Sequence, residues 1–238
     1  MCLGKTHILV GAAVGASFSM FIQHAAAPPH TAVLAAFTGA LALFPDVDQC
    51  GSTVSRSLGF FSELIARFIR LISGGHRHAT HAICGIALTA GLAWVACRFL
   101  PHWPAEAFLA ILITFCVSGL LEDLRILRSH PADAAAILVS AAVIWRGYGL
   151  HMIPLAVLLG CSAHVLADLM TDSGVMLAYP FSKQHIHLLP EPFAFTTGTR
   201  AETMIVAPLM IGTLAVLASW AVAPGLDTAA WNHVLAAL

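Results

Sequence analysis

Residues 105–121 read AEAFLAILITFCVSGLL, with Glu106 as their single charged side chain. Such a run lies in the range of about 17–25 predominantly apolar residues that carries a helix across a bilayer. Working outward, long apolar runs recur at 8–27, 82–100, 149–166 and 203–222, with shorter ones at 31–44 and 133–145. Each short run is joined to a longer neighbour by a turn, Pro28-Pro29 in one case and Arg146-Gly147-Tyr148-Gly149 in the other. The chain therefore returns to the side it left whether or not the short runs cross. Composition agrees: of 238 residues, 59% are hydrophobic and 10% charged, and mean hydropathy is +0.86. A soluble domain carries about 25% charged residues. The expected fold is all-α, a polytopic transmembrane helix bundle of about six or seven membrane segments. It forms one domain, 1–238, in which 203–238 supplies the last span and an outer tail. Lys5, the first apolar run and Ala25-Ala26-Ala27 also admit a cleaved signal peptide, which would remove His7.

The basic residues orient this bundle. With the N-terminus cytoplasmic, loops 45–81, 122–132 and 167–202 are cytoplasmic as well, and of 11 Lys and Arg only Arg98 and Arg146 fall outside. That asymmetry is the positive-inside pattern. A net charge of -1 gives no general attraction to nucleic acid, so the expected partners are the lipid bilayer and a small-molecule or lipid substrate. The oligomeric state is left open. The six cysteines show no CxxC pairing, and Cys84, Cys97, Cys116 and Cys161 sit in apolar runs, where a small buried thiol is the expectation.

Four polar constellations fall at the cytoplasmic ends of these spans. Gly75-His76-Arg77-His78-Ala79-Thr80-His81 packs three imidazoles and a guanidinium into one turn. Neutral imidazole is the commonest protein metal ligand, and Arg77 is suited to clamp an anion. Phe44-Pro45-Asp46-Val47-Asp48 ends an apolar run at a proline, and its two carboxylates can share an ion or simply be a solvated helix end. In His164-Val165-Leu166-Ala167-Asp168, the i,i+4 spacing puts ring and carboxylate on one helical face. Asp172, four residues on, fits a turn former. Thr196-Thr197-Gly198-Thr199-Arg200-Ala201-Glu202 suits an anion before a helix, with Glu202 as ligand or base; it equally fits a capping box closed by Thr199 and Glu202. Between the carboxylates and the histidines, Phe61, Leu64, Ile65, Phe68 and Ile72 repeat at helical spacing opposite Glu63, Arg67 and Arg70. This amphipathic helix, stopped by Gly74-Gly75, lies either in the headgroup layer or against the bundle.

As an ordered set, Thr6-His7, Leu43 to Asp48, His76 to His81, His164 to Asp168 with Thr171, and Thr197-Gly198 with Glu202 resemble a known family. It is that of the YdjM-type, LexA-regulated, membrane-bound metal-dependent hydrolases of bacteria. The resemblance runs from His7 to about Glu202 and implies a multi-pass protein of the bacterial cytoplasmic membrane. His78 departs from it, standing where a small residue is expected, and so does Asp172, where relatives often carry proline. On this reading His7, Asp46, His76, His81, His164 and Asp168 are metal ligands, with Asp48 bridging or acting as general base. Glu202 is ligand or base, and Arg77 neutralises an anionic substrate. Mixed imidazole and carboxylate donors suit zinc best, with manganese or iron as alternatives and one to three ions in all. The expected activity is hydrolysis of a phosphoester or lipid-like ester by activated water. The rivals are a metal- or proton-coupled transporter, and a scaffold whose metal only ties helix ends together.

Overall fold

The computed structural model describes residues 4–22, 28–147, 149–190, 194, 196, 199, 204 and 206–222. Nine α-helices are present among them: α1 (Gly4–Ser17), α2 (Pro28–Leu41), α3 (Thr53–Arg56), α4 (Phe60–Ser73), α5 (Ile83–Arg98), α6 (Trp103–Asp123), α7 (His130–Arg146), α8 (Ile153–Leu169) and α9 (Ala207–Val222). Pro28-Pro29 opens α2 instead of sitting in a turn before it, because proline's missing N–H and fixed φ are tolerated in the first helical turn. Three helical stretches are long and apolar enough to cross a membrane, His30–Asp48, Trp103–Asp123 and Leu150–Leu169. Ile83–Arg98 and Pro208–Leu217 are apolar but shorter. The fold is thus all-helical, with three candidate spans among the described residues; the about six or seven segments read from the apolar runs are not all of spanning length there.

Close approach of α1, α2 and α8 organises the bundle. A β-carbon on Gly11 would lie 2.7 Å from both the Thr38 carbonyl oxygen and Ala42 Cβ, and one on Gly160 would lie 2.7 Å from the Thr38 carbonyl oxygen. Small residues let helix backbones touch where lipid offers no hydrophobic drive for association. That contact has a consequence for the site: it brings the Ala42 carbonyl within 2.7 Å of His164 Nδ1 on α8. Gly160→Val is expected to push α2 off α8, costing about 1–3 kcal/mol and loosening His164 at the same time. Thermal unfolding in detergent, with metal content measured beside it, checks both effects. On the other side α6 pairs with α7 through Thr114–Ser140 (2.8 Å), a buried polar pair, and Ser118–Asp133 (2.6 Å), a half-buried one.

The amphipathic helix forms as expected and is stopped by Gly74, whose φ of 87° is left-handed. One side of it packs on the bundle and the other side does not. Ser62, Ala66 and Ser73 make the buried seam, with Ile65 and Ile69 at its edge. Phe61, Leu64, Phe68 and Ile72 face outward, away from the bundle.

Candidate metal centre

Residues distant in sequence meet at one end of the bundle. His7 comes from the first turns of α1, Asp46 and Asp48 from the 3-10 turn Phe44–Asp48 after α2, and His81 from the 3-10 turn Ala79–His81 before α5. His164 and Asp168 share one face of α8, one turn apart. All six are buried. His76 and Arg77 enter between them because the chain reverses sharply after α4, with Gly74, Gly75 and Arg77 all at positive φ. Arg77, at φ 62°, is the non-glycine member, a conformation that costs of order 1–3 kcal/mol and persists only where surroundings enforce it.

Hydrogen bonding fixes the imidazole tautomers. A carbonyl oxygen only accepts, so His164 Nδ1–H donates to Ala42, and Nε2 keeps its lone pair. A carboxylate likewise only accepts, so His76 Nδ1–H donates to Asp48 Oδ1 at 2.8 Å. The Thr80 hydroxyl donates its one proton to Asp48 Oδ2, and its oxygen therefore accepts from His81 Nδ1–H at 3.0 Å. With both rings neutral, Nε2 of His81 and Nε2 of His164 face each other across 3.1 Å lone pair to lone pair; with His81 protonated, the same contact is an N–H···N hydrogen bond. Asp46 Oδ1 lies 3.7 Å from the first and 3.6 Å from the second, and Asp168 Oδ2 lies 3.7 Å from both. Such a set of donors is stable only with positive charge between them. His81 registers that demand. Burial disfavours its charge, but contact with Asp46 and the carboxylates of Asp48 and Asp168 outweigh burial and hold its pKa above the ordinary imidazole value.

Two groups of ligand size result among the described residues: His7, His164 and Asp168, and Asp46, His76 and His81. The donor atoms within each group lie within 4.8 Å of one another. The rings of His7 and His164 stack at 3.7 Å with 12° between planes, so both present an edge to the same volume. Asp46 Oδ1 and His76 Nε2 are buried without a hydrogen-bond partner, the state expected of donor atoms reserved for a cation. Nitrogen and carboxylate donors in this mixture fit a divalent metal of the zinc type.

The structure separates the remaining candidates by what they touch. Asp48 joins neither group, since its two oxygens are engaged by His76 and Thr80. Arg77 is 7% exposed; its guanidinium lies 2.9 Å from Asp168 Oδ1 and donates to the Gly174 carbonyl at 3.0 Å. His78 turns aside to the His76 carbonyl and the Tyr179 ring. Asp172 is exposed and accepts from the Thr196 hydroxyl at 2.9 Å. Thr197, Gly198 and Glu202 lie outside the described residues. Sequence reasoning missed Thr80 and the Ala42 carbonyl, which set the His81 and His164 tautomers. A hydroxyl beside His81 was the one available signal; a main-chain carbonyl offers none. Thr80→Val is expected to weaken metal binding about 10–100-fold, the usual effect of losing a group that orients a ligand, while Thr80→Ser retains it. Competition titration against a chelator checks this.

A helical membrane protein with a buried histidine–aspartate centre able to hold metal is therefore the class this fold and geometry define. The chain belongs to the family of YdjM inner membrane proteins, whose model matches residues 1–237. No curated protein and no solved structure matches it.

Proposed function

We propose that this protein is a metal-dependent hydrolase of the inner membrane, acting on an ester or phosphoester at the bilayer surface. The observation that carries the reading is the 3.1 Å approach of two buried imidazole Nε2 atoms ringed by two buried carboxylates. His7, His164 and Asp168 would hold one ion, and Asp46, His76 and His81 a neighbouring one. Bound divalent ions, zinc first and manganese or iron next, would supply Lewis acidity and bring the pKa of a water towards about 7. Asp48 and Thr80 keep His76 and His81 in the ligating tautomer, and Arg77 fixes Asp168. In the reaction the water oxygen bonds to phosphorus or to the acyl carbon, the ester bond to the leaving oxygen breaks, and the alcohol departs with a proton. Glu202 remains the candidate for moving that proton.

One feature favours catalysis over a purely structural metal. The His76 ring is 22% exposed, although its Nε2 is buried, while His7, His81 and His164 are sealed, so the His76 side is the least covered approach to the centre. An accessible position is what distinguishes catalytic from structural metal sites. Transport gains no comparable support, because the charged groups gather at helix ends and not at the middle of a span. The finer topology we propose has six or seven membrane segments, the N-terminus and site loops cytoplasmic and the C-terminus outside. Metal analysis of the purified protein with a screen of phosphoesters and carboxylic esters tests the function. Turnover that a chelator abolishes and added metal restores is the expected result. Bound metal without turnover on any ester would leave the scaffold reading.

A further inference from the structure

The outward face of α4 has no partner among the described residues. Phe60, Phe61, Leu64, Phe68, Leu71 and Ile72 are all exposed on it, within an arc of roughly 120° at 3.6 residues per turn. Arg67 and Arg70 are exposed along one flank of that arc with Glu63 between them, 3.5 Å from Arg67, and the buried seam of Ser62, Ala66 and Ser73 lies on the far side of them. A soluble helix puts its apolar stripe inward and its charges outward. Here the stripe points out, with cations beside it, the arrangement of a helix lying in the plane of a bilayer with anionic headgroups.

Three contacts tie this face to the metal centre. The helix packs on the Phe44–Asp48 turn, which carries Asp46 and Asp48. Its C-terminus runs through Gly74 and Gly75 into His76, the exposed edge of the centre. The loop after α8 closes on the same end: a β-carbon on Gly74 would lie 2.3 Å from the Tyr179 hydroxyl, so Tyr179 sits directly against it. Two residues along that loop, Phe181 is 93% exposed, a second apolar side chain projecting beside the way in.

We infer that α4 and Phe181 form a bilayer-docking rim that seats the metal centre in the headgroup layer, and that the substrate is a phospholipid-type ester drawn from that leaflet. The second half of this inference rests on the hydrolase reading; the first does not. The acyl chains stay among the apolar side chains of α4, and the polar head, with the scissile ester, reaches His76. Arg67 and Arg70 meet the headgroup phosphates of neighbouring lipids.

Two measurements on the full-length, metal-loaded protein test it. In nanodiscs, Phe68→Trp should add emission that brominated acyl chains quench and aqueous iodide does not, relative to wild type. Quenching by iodide alone, or by neither agent, would overturn docking, the second result meaning that protein covers the face. Leu64→Gln with Phe68→Gln should lower turnover of a long-chain phospholipid in vesicles at least tenfold and leave a soluble chromogenic phosphodiester unchanged, at unchanged metal content. Equal loss on both substrates, or no loss on either, would overturn the substrate class. Turnover of neither substrate by the wild type would sink the hydrolase reading and the substrate class with it, while the quenching result would still decide the docking rim.

Discussion

Asp168→Asn is expected to remove the capacity of the His7 side of the centre to hold metal and to destabilise the fold by about 3–5 kcal/mol, the cost of leaving one partner of a buried ion pair behind. The size follows from the number of groups that depend on one carboxylate. Oδ1 faces the Arg77 guanidinium at 2.9 Å and His7 Nε2 at 3.7 Å, and Oδ2 faces Nε2 of His81 and of His164 at 3.7 Å each. The amide keeps the shape and removes the charge, so among the described residues Arg77 stays buried with neutral acceptors: the amide oxygen, the Gly174 carbonyl and the Thr171 hydroxyl. Metal and stability are separable here. Adding Arg77→Met to Asp168→Asn removes the stranded cation and is expected to recover most of the stability while the metal stays lost. Chemical denaturation in detergent and metal analysis of the two single variants and the double variant check this as a double-mutant cycle. Additive stability changes would mean that Arg77 and Asp168 are not coupled.

The ease with which this site can be read from sequence varies residue by residue. His164 and Asp168 are one helical turn apart on a long apolar run, so their shared face follows from the period of 3.6 alone. Asp46 and His81 were legible as helix-end residues on one side of the membrane, and the glycine contacts among α1, α2 and α8 turn that shared side into contact distances. Arg77 and Asp48 were legible as residues but not as partners. An arginine in a histidine turn looks like an anion clamp until the backbone reversal at Gly74, Gly75 and Arg77 aims it at Asp168, and φ values of that kind are a property of the assembled turn. Span lengths were the weakest reading. Hydrophobic runs fix where a helix lies in sequence, but its ends are set by proline, glycine and capping, as the Pro28 start of α2 illustrates. The orientation of α4 lay beyond reach for a different reason. The same periodicity serves a helix whose apolar stripe packs inward and one whose stripe points away from the bundle, and the burial of Ser62 and Ala66 separates these two.

The arrangement in two groups leads to the other large effect. His7→Ala and His76→Ala should each reduce bound metal from about two ions per chain to about one, since each removes a nitrogen donor from a different three-ligand set. Their further consequences diverge because the sets differ in access. His7 is sealed and its ring stacks on His164, so its loss opens a cavity in the α1–α8 contact and lowers stability along with metal. His76 sits at the solvent edge, held by Asp48 and edge-on against the His81 ring, so its loss should cost less thermal stability than that of His7 while abolishing turnover. Asp48→Asn should fall between these two, because an amide can still accept from His76 through its oxygen but holds the ring without charge assistance. Metal stoichiometry, melting temperature and turnover measured together on the three variants distinguish the outcomes. Should His76→Ala keep both ions and full turnover, the reacting position would have to lie on the His7 side of the centre. The exposed edge would then serve only as its doorway.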